Sequence, residues 1–253
     1  MPIPTLLNNK TYFFFSHTTK MQPYNKGLLE AVLERKITLI DYEGLALNNQ
    51  RVVAFGRWAG IVGAYNGLRT FGLKYKKFDL KPANECFDLT EMYSEFTKLN
   101  LGKTRFVVTG GGRVTKGSEE VLLEAGVKKV SYEDYMSKEF DYPVYVQPTS
   151  NVSNKRIDGG EFDLTDFYTN PEMYESTFEQ FLSNSDVLIA GAYWNPKAPV
   201  RFTEDQLASD DFKIRVIADI TCDIKGSIPT TIRPTTVADP VYDIDRSNCK
   251  ELK

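Results

Sequence analysis

The chain has 253 residues, which is enough for one large domain or two smaller ones. A hydrophobic content of 42% and a charged content of 26% are ordinary for a globular protein, and a net charge of -3 argues against nucleic acid as the main partner. The three cysteines neither form a disulfide framework nor stand at metal-ligand spacing, so we expect no metal site. We find no secretory signal and no apolar run near the ~18 residues of a membrane helix, so we expect a cytoplasmic protein without a membrane partner.

The first part of the chain predicts a strand–helix–strand unit. Residues 11–16 (TYFFFS) predict a buried strand, and its end carries His17, the only histidine in the chain. Residues 25–36 place their apolar side chains on one helical face, and residues 36–41 (KITLID) predict a second buried strand.

A helix and then a domain boundary follow. Small residues recur at helical spacing over 57–72, and no β-run directly precedes a tight glycine cluster there, so the pattern favours helix packing over a phosphate loop. We predict that this helix connects two domains. The charged stretch 75–103, with a short helix near 89–98, marks the boundary. We therefore predict a partial substrate domain in 1–75 and a dinucleotide-binding domain in 76–253.

Residues 105–126 carry a strand, a glycine cluster and a helix in immediate succession. The β-rich run 106–109 leads into Gly110, Gly111 and Gly112, and a helical segment begins near Gly117. Residues without a Cβ let the backbone approach a pyrophosphate, and a helix N-terminus aims free N–H groups at the anion. The string departs from the usual spacing, because Thr115 stands where a third glycine or alanine is expected, and such strings also occur in ordinary tight turns.

An acidic pair follows the next predicted strand. That strand, 127–132, ends in Glu133 and Asp134, about 20 residues after the glycines, where an acid often meets the ribose hydroxyls. The spacing agrees equally well with solvated loop charges.

The rest of the chain predicts two more strands and a long irregular segment. Residues 137–172 are polar and proline-containing, which is typical of a lid, a partner surface or a mobile loop. A helix near 171–183 precedes a buried strand over 186–192. A helix over 203–209 precedes another buried strand over 214–220.

Short buried strands that alternate with helices predict an α/β fold, a Rossmann-like doubly wound parallel sheet with part of a second such domain. Ligands of such sheets bind outside the carboxyl ends of the strands. The segments at those ends form the candidate site: His17–Gln22, Gly110–Gly117, Glu133, Ala192–Asn195 and Asp219–Asp223.

These segments resemble the lysine–ketoglutarate reductase and saccharopine dehydrogenase group within the alanine dehydrogenase/transhydrogenase superfamily. The residues that carry the resemblance are FFFSHTTKMQPYN (13–25), TLIDYEGL (38–45), RVVAFGRWAGIVGA (51–64), VVTGGGRVTKG (107–117), VLIAGAYWNPKAPVRFT (187–203) and ADITCDIKGSI (218–228). Their order and spacing match along nearly the whole chain. The resemblance implies two Rossmann-like domains with an active site in the cleft between them. It also implies a reversible reaction that joins lysine and 2-oxoglutarate as an imine and reduces it with NAD or NADP.

The resemblance also implies roles for individual residues. His17 matches the acid–base histidine, while Gln22 and Arg51 match residues near the dicarboxylate substrate. Candidates for cofactor binding are the loop residues Gly110, Gly112, Arg113 and Gly117, the acid Glu133 near the ribose, Ala192 and Tyr193 in the loop after a strand, and Asp219 and Asp223 towards the nicotinamide.

Family members begin before Met1 and continue past Lys253, so we expect a fragment or a shortened relative. The resulting hypothesis is an oxidoreductase that acts on the CH–NH bond of saccharopine or a similar adduct, with small amino-acid and keto-acid partners. Two alternatives stay open: a non-catalytic nicotinamide-nucleotide-binding module, and an alanine-dehydrogenase-like enzyme with a smaller substrate.

Overall fold

The computed structural model describes residues 2–18, 21, 23–48 and 50–252. The chain divides into two compact units, residues 1–55 and 56–253. The predicted boundary at 75/76 thus falls at the end of a long helix, whereas the division falls at its beginning. This helix, residues 56–75, belongs to the second unit because it packs against a helix and two strands of that unit.

The first unit is a strand–helix–strand arrangement, as the sequence predicts, but its two strands are not buried: their residues are exposed or only partly buried. Strand β1 (Thr11–Phe14) pairs in parallel with β2 (Thr38–Asp41), and helix α1 (Lys26–Glu34) lies between them in the chain. The buried core is formed by Leu6, Leu28, Ala31 and Val32. A short antiparallel hairpin follows, made of β3 (Ala46–Leu47) and β4 (Gln50–Arg51).

The second unit contains the remaining helices and strands. The helices are α2 (Gly56–Tyr75), α3 (Leu89–Ser94), α4 (Arg113–Glu124), α5 (Tyr132–Ser137), α6 (Ser150–Ser153), α7 (Leu164–Thr169), α8 (Glu179–Leu182) and α9 (Glu204–Ala208). The strands are β5 (Arg105–Thr109), β6 (Lys128–Lys129), β7 (Val144–Val146), β8 (Asn154–Arg156), β9 (Tyr174–Ser176), β10 (Val187–Ala190), β11 (Val216–Asp219), β12 (Ile244–Asp245) and β13 (Lys250–Glu251).

Five of these strands form one parallel sheet in the order β11-β10-β5-β7-β6. Side chains alternate between its faces: Phe106 and Val108 join the core beneath α2 and α4, whereas Val107 joins the core on the other face. The opposite core also contains Phe181 and Leu182 of α8 and Leu207 of α9. Helices therefore cover both faces, and the predicted Rossmann-like α/β fold is confirmed.

The segment predicted to be irregular, 137–172, instead contributes a central strand. Within it, β7 lies directly beside β5, which leaves β6 at the edge of the sheet. All three residues of β7 are buried. A three-residue strand close to Pro143 and Pro148 is too short to give a periodicity signal, so the prediction missed it. The same region holds β8, which pairs with β9 in a small antiparallel arm.

Two glycines bring the backbones of α2 and α4 into direct contact. A Cβ on Gly60 would collide with the carbonyl oxygen of Val114, and one on Gly117 would collide with that of Arg57. The hydroxyl of Ser118 donates to the Gly60 carbonyl at 3.2 Å. The two backbones are therefore in direct contact, as the small residues of 57–72 indicate. Among the described residues, no helix combines the length and apolarity needed to cross a membrane.

Candidate functional site

The glycine cluster begins at the carboxyl end of β5 with a residue that has to be glycine. Gly110 has a φ of +100°, a conformation that residues with a Cβ rarely adopt. A Cβ there would lie 2.6 Å from Thr115 Oγ1 and 2.9 Å from the Cα of Ala192. Gly110 thus turns the chain sharply and lets the loop after β10 pass behind it.

The next two glycines face open space at the N-terminus of α4. A Cβ at Gly111 or Gly112 would meet nothing within 4 Å. Gly112 is the N-cap of this 12-residue helix and provides no side-chain cap, so the N–H groups of the first turn are left for another acceptor. Arg113, the first residue of the helix, is exposed beside them. This open cradle of backbone donors fits the pyrophosphate of a dinucleotide.

Thr115 supports the loop from below. Its side chain is fully buried, and its hydroxyl donates to the Thr109 carbonyl at 3.1 Å. The hydroxyl ties the first turn of α4 to the end of β5, which explains why a third glycine is not needed here. Gly117, which the resemblance places in the cofactor loop, lies instead against α2, where it permits the helix crossing.

The order of the strands decides which residue occupies the position where an acidic side chain usually binds the ribose hydroxyls of the cofactor. In the usual dinucleotide fold the acid follows the strand next to the glycine-loop strand. Here that neighbour is β7, and its end carries Gln147, whose Nε2 donates to the Gly110 carbonyl at 2.7 Å. Glu133 is exposed in the first turn of α5, after the edge strand β6. The structure therefore brings Gln147, and not Glu133, to the glycine loop.

Gln147 is held by a charged neighbour. Lys129 Nζ donates to Gln147 Oε1 at 2.7 Å and to Glu119 Oε1 at 2.6 Å. The amide therefore has a fixed orientation, with its oxygen towards the lysine and its nitrogen towards the loop.

The remaining candidates of the second unit follow β10 and β11. Ala192 backs onto Gly110, whereas the ring of Tyr193 is 89% exposed. Asp219 ends β11, where its carboxylate accepts hydrogen bonds from Thr221 and Thr231 and also lines a cavity with Thr230 and Ile220. Asp223 is exposed in the same loop.

In the first unit, Glu43 connects the two predicted side chains. His17 Nδ1 lies 3.2 Å from Glu43 Oε2, and Arg51 Nη2 lies 3.8 Å from Glu43 Oε1. The Glu43 side chain is only 13% exposed, whereas His17 and Arg51 are each 45% exposed. His17 also has a φ of +54° and stacks on Phe15 at 6.2 Å between ring centroids. Gln22 lies outside the described residues.

Asp41 fixes the turn that presents Glu43. Its Oδ1 accepts a hydrogen bond from the Glu43 backbone N–H at 2.9 Å, and its other oxygen accepts one from the Ser16 hydroxyl. Burial acts to raise the pKa of Asp41, but these hydrogen bonds outweigh it and hold the pKa below its ordinary value. Ser16 directly precedes His17, so one carboxylate anchors the backbone on both sides of the His17–Glu43 pair.

This cluster can hold a histidine in one orientation and exchange protons. A carboxylate that accepts a hydrogen bond from Nδ1 fixes the tautomer and the orientation of the imidazole. The sequence did not indicate a role for Glu43 or Gln147. Glu43 stands two residues after β2, and Gln147 directly follows β7. Applying the strand-end rule to every strand finds Glu43. Finding Gln147 requires β7 to be recognised first.

Comparison with known proteins gives first the fold class of the chain and then its relatives by sequence. The fold is that of the alanine dehydrogenase class: a structure named L-alanine dehydrogenase has a TM-score of 0.55 and 14% identity, covering 96% of this chain and 58% of that one. No family model matches the chain.

Proteins that are similar in sequence identify the relatives of this chain more closely than the fold does. Mouse mitochondrial alpha-aminoadipic semialdehyde synthase is 30% identical over 97% of this chain, and the Arabidopsis thaliana alpha-aminoadipic semialdehyde synthase is 29% identical over 96%. The chain is a homologue of these synthases, and the predicted relationship to the lysine–ketoglutarate reductase/saccharopine dehydrogenase group is confirmed. It spans 31% of the length of the mouse relative and 26% of the Arabidopsis relative.

Proposed function

We propose that the chain is an NAD(P)-dependent oxidoreductase that acts on the CH–NH bond of saccharopine or a similar amino-acid adduct. The observation that carries this proposal is the open glycine cradle at the N-terminus of α4, in a chain homologous to alpha-aminoadipic semialdehyde synthases. A bound nicotinamide dinucleotide supplies the hydride for such a reaction.

The second unit supports the cofactor half of the proposal. Free N–H groups at Gly112 and in the first turn of α4 would hold the pyrophosphate, and Arg113 adds a positive charge beside them. Gly110 keeps the cradle open because its backbone takes a turn that a larger residue rarely adopts. We propose that Ala192, through its contact with Gly110, limits the depth of the cradle.

The first unit supports the proton-transfer half. Joining an amine to a keto acid moves protons at the carbinolamine and imine stages near neutral pH, which suits a histidine. Because Glu43 occupies Nδ1 of His17, the proton is exchanged with substrate at Nε2. Arg51 offers a guanidinium for a substrate carboxylate, and its 3.8 Å separation from Glu43 leaves it free to turn. Residues 1–55 accordingly form part of the substrate domain.

We expect the cofactor site to accept NADPH as well as NADH. An acid at the end of the strand beside β5 would bind the 2′-hydroxyl of NADH and repel a 2′-phosphate. Gln147 occupies that position with a neutral amide, and Lys129 stands beside it. The cytoplasm is our proposed compartment, although the mouse relative is named as mitochondrial.

The test is calorimetric titration of the chain with NADH and NADPH separately, followed by turnover assays. We expect saturable binding with one site per chain, and cofactor oxidation that requires both lysine and 2-oxoglutarate. Oxidation with a simple keto acid and ammonia would favour the alanine-dehydrogenase-like alternative, which the shared fold keeps open. Binding without turnover would favour a non-catalytic nucleotide-binding module. Failure to bind either cofactor would remove the basis of the proposal.

A further inference from the structure

The loop that follows β10 carries Arg201, an arginine whose side chain is only partly exposed to solvent. The Nε atom of Arg201 is inaccessible to solvent and has no hydrogen-bond partner in the described part of the chain. Burial lowers the pKa of Arg201 to about 10, and no charge from the described residues offsets that effect. A buried cation requires a counter-charge and hydrogen bonds, because its loss of hydration is otherwise uncompensated.

Arg201 is nevertheless held firmly by its backbone and by an aromatic ring. Its N–H donates to the Ser227 carbonyl at 2.9 Å, which joins the loop after β10 to the loop after β11. Its Cζ lies 5.8 Å from the centroid of the Phe178 ring. A ring face attracts a cation but leaves the planar N–H donors of a guanidinium without acceptors.

The surroundings place Arg201 at the carboxyl edge of the sheet. Phe178 follows Thr177, whose hydroxyl donates to the Val152 carbonyl at 2.7 Å, in the segment after β7. Arg201 thus links the loop after β10 to the loop after β11 through its backbone, and its side chain contacts the segment between β9 and α8. Open α/β sheets bind their ligands at this edge.

We propose that Arg201 anchors an anion site at this edge, for a ligand that carries a carboxylate or a phosphate group. Within its guanidinium, only Nε is a buried atom that lacks a hydrogen-bond partner among the described residues. The two terminal nitrogens also donate no hydrogen bond to the described residues. Because they are not buried, these terminal nitrogens are open to solvent. A guanidinium presented in this way binds two oxygens of one oxyanion through parallel N–H donors. The argument depends on burial and charge and not on the glycine cradle.

The experiment measures anion binding without any cofactor. Phosphate, pyrophosphate and 2-oxoglutarate are titrated separately into the whole chain by calorimetry, at an ionic strength fixed with chloride, and thermal unfolding is recorded in parallel. We expect at least one of these anions to bind and to raise the Tm. Arg201→Gln should weaken that binding at least tenfold, the scale of a lost charge-assisted hydrogen bond. A response confined to the two phosphates identifies a phosphate ligand, whereas a response to 2-oxoglutarate alone identifies a carboxylate.

Arg233→Gln is the matched control, because Arg233 already pairs with Glu251 and Asp239. It should bind the anion as the parent chain does. Without anion, Arg201→Gln should unfold at the same temperature as the parent or higher, because it removes a partly desolvated charge that no carboxylate of the described residues offsets. If this variant does not fold, Arg201→Lys retains the charge without the fork and should still bind the anion more weakly. Absence of anion binding, or equal affinity in the Arg201 variants and the parent, overturns the proposal.

Discussion

At the scale of single residues, Glu43 positions His17, the proposed acid–base group of the first unit. A histidine that is 45% exposed is free to reorient, but a mostly buried carboxylate 3.2 Å from its Nδ1 restrains the ring. The positive φ of His17 adds a backbone strain that the Ser16–Asp41 and Asp41–Glu43 hydrogen bonds maintain. Strain retained at a side chain with acid–base chemistry agrees with a functional role.

We therefore expect His17→Ala to lower turnover by about 10²-fold or more, the usual scale for the loss of a positioned acid–base group. Glu43→Gln retains the size of the side chain but removes the charge, so we expect a smaller fall of about tenfold, mainly in kcat. Steady-state kinetics with lysine and 2-oxoglutarate measure both. Cofactor affinity and Tm serve as controls and should change little; unchanged kcat in His17→Ala would exclude this histidine from the mechanism.

Single residues could be predicted from the sequence where the resemblance or a strand end indicated them. His17 and Gly110 stand in the predicted local settings, directly after parallel strands. The sequence did not predict that Glu133 lies after the edge strand, because that position depends on which strand lies beside β5. Arg201 gave no sequence signal, since a partly desolvated cation is defined by what surrounds it after folding.

At the scale of elements, the crossing of α2 and α4 determines where the glycine cradle lies. The helices meet through the backbones of Gly60 and Gly117, so α4 is held against the sheet with its N-terminus at the end of β5. The sequence predicted close packing from the small residues of 57–72. It did not show that Gly117 belongs to this crossing, because its position in a glycine string also suggests a phosphate loop.

Gly60→Ala should destabilise the chain by about 2–3 kcal/mol, because the added Cβ overlaps a carbonyl of α4 and neither backbone can move aside cheaply. Gly117→Ala should have a similar cost. Chemical denaturation with urea measures both free energies of unfolding. Gly111→Ala is the control: its Cβ meets nothing within 4 Å, so stability should change by less than about 0.5 kcal/mol while dinucleotide affinity falls. A stable Gly60→Ala variant would contradict the direct backbone contact.

Strand β7 also shows what local sequence can and cannot predict about an element. Long buried runs such as 106–109 and 186–192 are correctly predicted, because their periodicity and length exceed what a loop provides. A three-residue strand joins the sheet only because β5 offers it an edge, and that tertiary effect is not visible in local sequence. The order of the sheet, and with it the position of Gln147, depends on this strand.

At the scale of the whole molecule, the two units differ in the size of the buried core that could stabilise each of them when it is separated from the other. The second unit has a five-stranded sheet with a large buried core on each face. Among the described residues, the first unit has a two-stranded parallel pair, a short hairpin, one α-helix and a buried core of Leu6, Leu28, Ala31 and Val32. Domains of such small size bury too little apolar surface to offset the loss of chain entropy.

We therefore expect residues 56–253 to fold independently and to bind NADH or NADPH within about threefold of the affinity of the whole chain, because the glycine cradle and Gln147 both lie within this unit. Residues 1–55 alone should show the circular dichroism of a largely unfolded chain. Calorimetry and thermal unfolding of the two separate pieces measure these outcomes. Loss of cofactor binding by the folded 56–253 piece would show that the binding site needs residues of the first unit, and the assignment of the cofactor site to the second unit alone would then be wrong.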